Sequence, residues 1–160
     1  MQIEIITTGG TIDKIYFDAK SSFEIGEPQI GEVLRDANLT IDYRIMPLLR
    51  KDSLDLNDAD RELIKKAAIE SSSEKIVVTH GTDTMVETAN FLDGISGKTI
   101  VLTGAMQPAR FRFTDAIYNI ASAITAVQLL PAGVWIAMNG QIFDPEKSRK
   151  NVTMNRFEVV

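Results

Sequence analysis

Residues 76–89 have the sequence IVVTHGTDTMVETA, in which a short apolar run gives way to a polar cluster and then to a helix start. The run Ile76–Val78 is typical of a buried strand, and Gly81 allows the backbone to turn without a Cβ clash. Thr82 and Asp83 follow, where the amide groups of a helix N-terminus also point. A second polar cluster, TTGGT at 7–11, ends another strand-like run. The two clusters predict one site between two strand ends.

Strand-like runs recur along the chain, with helical patterns between most of them. This alternation predicts an α/β fold in a single domain over residues 1–160, with a doubly wound, mostly parallel sheet and helices on both faces. The predicted strands are 2–7, 41–46, 75–79, 99–103 and 133–138. The predicted helices are 31–37 with Pro28 in the first turn, a helix after Asn57 and Asp58, 84–93 and 115–127. Residues 138–141, MNGQ, predict a two-residue turn into a short further strand.

The composition excludes several classes of protein. A net charge of -5 disfavours a non-specific nucleic-acid binder, which carries a clustered positive field. The chain has no cysteine and a single histidine, His80, so neither thiolate nor multi-histidine metal sites are expected, and no cofactor is predicted. No apolar run approaches the roughly 20 residues of a membrane helix, and the first residues lack a secretory pattern. We therefore expect a cytoplasmic protein that binds no nucleic acid and no membrane.

The segment from Asp13 to Glu27 is predicted to be the main irregular connection. Long loops in compact domains are often functional, so this segment could be a lid over the site. Disorder or a simple surface excursion explains the same pattern equally well. Gly26 and the pair Ser21 and Ser22 would permit motion.

Polar residues and glycines end several predicted strands. In a doubly wound fold, ligands bind outside the carboxyl ends of the strands, so these residues should gather at one edge. A hydroxyl nucleophile there needs a base and donors for the developing oxyanion. Thr11 or Thr82 could supply the hydroxyl, and the amides around Gly9, Gly10 and Gly81 could supply the donors. Such glycines equally serve a nucleotide phosphate or a tight turn, but the chain contains neither G-x-G-x-x-G nor G-x-x-x-x-G-K-[ST].

The segments TGGTI at 8–12 and THGTDTMVETA at 79–89 together resemble the two signature segments of bacterial-type L-asparaginases. The resemblance covers essentially the whole chain, but only the amino-terminal domain of that family. It implies an amidohydrolase that releases ammonia from asparagine or a related small amide through a threonine acyl-enzyme. By position it implies that Thr11 is the nucleophile, that Thr82 and Asp83 form the second site, and that Lys150 is the catalytic lysine.

The resemblance also implies how a substrate is held. Ser53, in DSLDL at 52–56, matches the family's substrate-binding serine and is expected to contact the substrate carboxylate. Asp83 is expected to bind the substrate ammonium, and Gly10, Gly81 and Ala105 are expected to line the same site. A lysine acts as a base only in its neutral form, which burial favours and a neighbouring carboxylate disfavours.

Two departures from the family's pattern bear on activity. Phe23 stands where the family has a tyrosine on its mobile loop, and a phenyl ring cannot transfer a proton. Tyr16 could replace it, or Phe23 could close an apolar lid. The family's smaller carboxy-terminal domain, which supplies an acidic residue to a neighbouring subunit's site, has no counterpart in this sequence. The alternatives to an asparaginase-like homo-oligomer are therefore a non-catalytic amino-acid-binding module and an amidase for another small amide.

Overall fold

A six-stranded sheet forms the centre of the domain, and the computed structural model describes residues 1–160. The strands are β1 (Gln2–Gly9), β2 (Lys14–Phe17), β3 (Ser22–Ile25), β4 (Asp42–Lys51), β5 (Lys75–Thr79), β6 (Thr99–Thr103), β7 (Gly133–Met138), β8 (Gln141–Phe143), β9 (Ser148–Asn151) and β10 (Arg156–Val159). The helices are α1 (Ile30–Asp36), α2 (Asp58–Glu70), α3 (Met85–Phe91) and α4 (Ala116–Leu129). None of these helices combines the length and the apolar character that crossing a bilayer requires.

The strand order in the sheet is β4-β1-β5-β6-β7-β8, and every neighbouring pair is parallel except β7 and β8. The chain leaves β1, adds β4 on one side of it, and then crosses to add β5 on the other side. This reversal is the topological switch point of a doubly wound sheet, where the connecting loops diverge and leave a crevice. The crevice lies at the carboxyl ends of β1 and β5.

Each face of the sheet is covered by two helices. Alternate residues of a strand point to opposite faces, so Ile5 packs with Leu34 of α1 and Ile120 of α4, whereas Ile6 packs with α2 and α3. The central strands β1, β5 and β6 are buried on both faces, which explains the apolar runs in these segments. The predicted doubly wound α/β fold is confirmed.

The prediction that residues 13–27 form an irregular connection is wrong. Strands β2 and β3 pair antiparallel, from Lys14 opposite Ile25 to Phe17 opposite Ser22. Ser21 closes the turn in the left-handed region with φ 48°. Four-residue strands leave little periodicity to recognise, and their pairing is a contact between the two halves of the segment rather than a property of either half. We call residues 14–25 the hairpin.

Two other boundaries differ from prediction. Strand β4 continues to Lys51, five residues beyond the predicted end, although it contains Pro47. Because β4 is an edge strand, a proline without an N–H group need not interrupt the ladder. Pro28 lies before α1, whose N-cap is Gln29, and not in its first turn.

Local signals placed the other elements correctly. Asn57 caps α2 through a reciprocal capping box with Asp60, as the polar residues before that helix predict. Asn139 and Gly140, with φ 52° and 73°, form the predicted turn between β7 and β8. The β9–β10 hairpin near the end of the chain was not predicted, and it carries Lys150.

Candidate functional site

The loops that follow β1 and β5 touch each other through two glycines. Gly10 has φ 86° and ψ -178°, a conformation essentially restricted to glycine. A Cβ built on Gly10 would lie 2.5 Å from both the Cα and the N of Gly81. The residues that follow these glycines, Thr11 and Thr82, therefore start from backbones in direct contact. The structure thus brings the two threonine segments together at the switch point, as the sequence predicts.

The loop after β4 completes this edge of the crevice. A Cβ on Gly81 would lie 2.6 Å from Ser53 Oγ, so the Ser53 side chain packs directly on that glycine. Ser53 is buried, and its carbonyl oxygen accepts a hydrogen bond of 2.8 Å from Thr84 Oγ1. The Gly10 amide donates to the Lys51 carbonyl oxygen at 2.9 Å. That amide is thus already bonded, and what Gly10 contributes is the close approach of the loops.

Lys150 reaches the same place from β9. Its Nζ donates to Thr82 Oγ1 at 2.8 Å and to Asp83 Oδ1 at 2.7 Å. The Lys150 side chain is 13% exposed and that of Asp83 is 39% exposed. Lys150 is therefore largely shielded from solvent. Lys150 thus lies within hydrogen-bond distance of Thr82 and Asp83, although it is 67 residues from Asp83 along the chain. We call these three residues the relay.

A buried network of polar side chains stabilises the loop after β5. His80 is fully buried; its Nδ1 lies 2.6 Å from the Gly81 carbonyl oxygen and its Nε2 lies 2.8 Å from Thr88 Oγ1. Arg61 Nε donates to Thr88 Oγ1 at 3.2 Å, so the Thr88 hydroxyl donates to His80 Nε2, and Nδ1 carries the proton. Burial lowers the pKa of His80 to about 4, and the ring is neutral at pH 7. His80 holds the turn at Gly81 in place, consistent with a structural role.

The loop after β6 is held by the side chains of Asp115, the N-cap of α4, and of Asn119 within α4. Asp115 accepts hydrogen bonds from the main-chain N of Met106 and Gln107, at distances of 2.9 to 3.1 Å. Asn119 Nδ2 donates to the Gly104 carbonyl oxygen at 2.9 Å. Ala105 is buried in the core and is only 1% exposed, so the structure gives no exposed surface of this residue for contact with a substrate.

Sequence reasoning missed several residues that shape these loops. Arg61 is the clearest case, because its spacing in α2 is that of a surface residue, yet it is buried between α2 and α3. Thr8 Oγ1 donates to the Thr79 carbonyl oxygen at 2.8 Å and ties the end of β1 to the end of β5. No local signal identifies these contacts, since the partners are 27 and 71 residues apart.

The hairpin borders the site and carries both aromatic candidates. The Phe23 ring on β3 packs edge-to-face against Tyr16 on β2, with centroids 5.3 Å apart, and against Phe111, with centroids 5.7 Å apart. Phe23 and Tyr16 are each about half exposed. Lys14 pairs with Asp52 at 3.5 Å, immediately before Ser53 in sequence. The hairpin therefore contacts the loops that follow β4 and β6.

Asp13, between Thr11 and the hairpin, is a buried carboxyl group that sequence reasoning did not single out. Its Oδ1 accepts a hydrogen bond of 2.9 Å from the main-chain N of Gln29. Burial raises the pKa of Asp13 to about 7, and the Gln29 N–H and the charge of Arg50 offset part of that effect. The side chain therefore titrates near neutral pH.

Comparisons with known proteins agree with this arrangement. The sequence model of the family described as "Asparaginase, N-terminal" matches residues 2–158. A probable periplasmic L-asparaginase of Haemophilus influenzae is 32% identical over 162 residues, covering 94% of this chain and 46% of the relative. L-asparaginase 2 of Escherichia coli is also 32% identical, covering 94% of this chain and 47% of the relative. A glutaminase-asparaginase of Acinetobacter glutaminasificans is 30% identical, covering 96% of this chain and 50% of the relative.

Solved structures show the same relationship. L-asparaginase I from Vibrio cholerae superposes with a TM-score of 0.85 at 25% identity, covering 99% of this chain and 51% of the other. A probable cytoplasmic L-asparaginase from Campylobacter jejuni superposes with a TM-score of 0.78 at 30% identity, again covering 99% and 51%. The chain spans about half the length of the relatives it matches. Because the family model matches nearly every residue of the sequence, this chain belongs to the family of asparaginase N-terminal domains.

Proposed function

We propose that this chain hydrolyses asparagine or a related small amide to the acid and ammonia through an acyl-enzyme on Thr11. The observation that carries the proposal is the contact of Lys150 Nζ with both Thr82 Oγ1 and Asp83 Oδ1, beside the Gly10–Gly81 contact. A largely shielded lysine that bonds a threonine hydroxyl at the mouth of a crevice is an arrangement suited to proton transfer.

The steps follow from these positions. The Thr11 hydroxyl oxygen attacks the amide carbon, and its proton passes to the Thr82–Lys150 pair. The tetrahedral intermediate collapses, its C–N bond breaks, and the proton returns to the leaving nitrogen as ammonia departs. Water then attacks the ester on Thr11 and releases the carboxylic acid, which restores the hydroxyl.

Asp83 pairs with the lysine of this site. Its Oδ1 lies 2.7 Å from Lys150 Nζ. A substrate ammonium group bound to Asp83 would compete with Lys150 for that carboxylate, so substrate binding would release the lysine amine to act with Thr82. Ser53 is proposed to contact the substrate carboxylate at the opposite end.

The relatives are named as L-asparaginases and glutaminase-asparaginases, so asparagine and glutamine are the two candidate substrates. We propose asparagine as the default and glutamine as the first competitor. We also propose that residues 1–160 act as one asparaginase-like unit in a homo-oligomer, which light scattering would test. A cytoplasmic location belongs to the same proposal, since the relatives' names include both periplasmic and cytoplasmic proteins.

Ammonia release by the purified chain from asparagine, glutamine and other small amides tests the proposed function. We expect turnover that the Thr11→Ala variant abolishes and that Thr82→Ala lowers by at least about 100-fold, as expected for loss of acid–base assistance. An unchanged rate in Thr11→Ala would remove Thr11 from the nucleophile role.

One observation favours a second candidate, a non-catalytic amino-acid-binding module. The ring on the hairpin that faces Phe111 belongs to Phe23, which has no hydroxyl to assist a nucleophile. Saturable binding of aspartate or asparagine by calorimetry, with no ammonia released, would support this candidate. Turnover that depends on Thr82 would eliminate it.

A further inference from the structure

The carboxyl group of Asp13 joins the two ends of the hairpin base. Asp13 is 2% exposed, and its side chain accepts the main-chain N–H of Gln29, on the segment that leaves the hairpin. Its main-chain carbonyl oxygen accepts the N–H of Gly26 at 2.8 Å. Residue 13 immediately precedes β2, and residues 26–29 immediately follow β3. One residue therefore ties the entry of the hairpin to its exit.

Hydrogen bonds also connect the hairpin base to the loop after β6. Gln29 Nε2 donates to the Glu27 carbonyl oxygen at 2.7 Å, and Gln29 Oε1 accepts from Arg110 Nε at 2.7 Å. The Ala109 amide donates to the Ile12 carbonyl oxygen at 3.0 Å, one residue after Thr11. Asp13 thus lies within a network that connects the hairpin base to the segment carrying Thr11.

We propose that Asp13 is a positioning residue of this site, whose carboxyl group holds the hairpin closed against the loops around Thr11. The inference rests on the proposed function, since positioning has a purpose only if a reaction occurs at Thr11. Beside Asp13 lies a cavity of about 190 Å³ between Gly26 and Pro28 on one side and Pro47 on the other. This cavity lies between the hairpin exit and β4.

A carboxyl group at this position makes the hydrogen bond to Gln29 at the hairpin base sensitive to pH, which an amide would not do. An asparagine could accept the same Gln29 N–H bond without titrating, whereas burial raises the pKa of Asp13 to about 7. Opening the hairpin would hydrate the carboxylate and return its pKa toward the ordinary 3.8. The closed form therefore binds the proton more tightly, so acid favours closure and alkali favours opening. Between pH 6 and 8 the opening constant should rise about tenfold.

The charged groups around Asp13 are already engaged with other partners. Arg50 on β4 pairs with Glu27 at 2.5 Å. Arg110, on the loop after β6, lies 3.9 Å from Glu32. Lys14, the next residue on the hairpin, pairs with Asp52. Of these three groups only Arg50 acts on the Asp13 carboxyl, and its positive charge offsets part of the rise that burial causes in the pKa of Asp13.

Hydrogen exchange of the hairpin amides tests the inference without requiring any catalysis. After correction for the intrinsic pH dependence of exchange, the wild type should open about tenfold more at pH 8 than at pH 6. In Asp13→Asn the hairpin amides should stay protected, and the ratio of opening at pH 8 to opening at pH 6 should be near one. In Asp13→Ala these amides should lose protection at both pH values. Asp18→Asn, which removes an exposed carboxylate from the tip of the same hairpin, should behave as the wild type.

The inference is overturned if Asp13→Asn retains the tenfold ratio or if Asp13→Ala stays as protected as the wild type. Should Asp13→Ala not fold, Asp13→Asn decides alone, because it keeps the acceptor. Where ammonia is released, the KM of Asp13→Ala should rise, and Asp13→Asn should restore it at pH 8. If the wild type releases no ammonia, the proposed function fails while the exchange ratio still decides the role of Asp13.

Discussion

Replacing Gly10 with alanine tests whether the contact between the two threonine loops determines the site. Two costs add at this position. The first is conformational, because φ 86° with ψ -178° lies outside the range that alanine adopts readily. The second is steric, because the new Cβ would meet the main chain of Gly81, which cannot rotate away as a side chain can.

The size of the effect follows from the distances. A Cβ at 2.5 Å from Gly81 Cα and N must move to ordinary contact at 3.4 Å or beyond, so the loops must part by about 1 Å. Backbone strain of about 1 to 3 kcal/mol and overpacking of a similar size predict a loss of unfolding free energy of about 2 to 6 kcal/mol. A displacement of about 1 Å between Thr11 and the Thr82–Lys150 pair should lower the rate of ammonia release by about 100-fold.

Gly94→Ala is a matched control. Gly94 also has positive φ, 81°, but a Cβ there meets nothing within 4 Å. The Gly94→Ala variant should lose only about 1 to 2 kcal/mol of unfolding free energy and should release ammonia at the wild-type rate. Urea denaturation and ammonia release on both variants make the comparison. If Gly10→Ala is no less stable and no less active than Gly94→Ala, the close approach of the loops does not determine the site.

Two further predictions concern the relay and the buried histidine. Lys150→Met should lower ammonia release by at least about 100-fold, because it removes the proton acceptor. As a control, Lys147→Met removes an exposed lysine paired with Asp144 and should leave the rate unchanged. If Lys150→Met and Lys147→Met release ammonia at equal rates, Lys150 has no role in catalysis. The pKa of His80 falls from 6.5 to about 4 on folding, so the unfolded chain binds the proton more tightly. Between pH 6.5 and pH 4 the wild type should therefore lose about 3 kcal/mol of unfolding free energy relative to His80→Asn, measured by urea denaturation of both proteins at each pH.

The fold was predictable from the sequence because it depends on patterns within single segments. The apolar runs at Gln2 and Ile76, the capped helix at Asn57 and the turn at Gly140 each carry their own signal. The hairpin at 14–25 lacks such a signal, since its strands are four residues long and gain their stability from each other and from Phe111. The boundary of β4 also depends on its position in the sheet, because only an edge strand tolerates Pro47.

The sequence by itself determined which side chains are available for chemistry. TGGTI and THGTD place hydroxyls and a carboxylate after two buried strands, and the parallel sheet brings such ends to one edge for reasons of connectivity alone. The tertiary structure decided how these groups meet. Lys150 bonds Thr82 only because the β9–β10 hairpin folds back over the crevice, and Arg61 supports His80 only because α2 packs beside α3. Asp13 titrates near neutral pH because its surroundings exclude water, and exclusion of water is a property of the packed structure rather than of any segment.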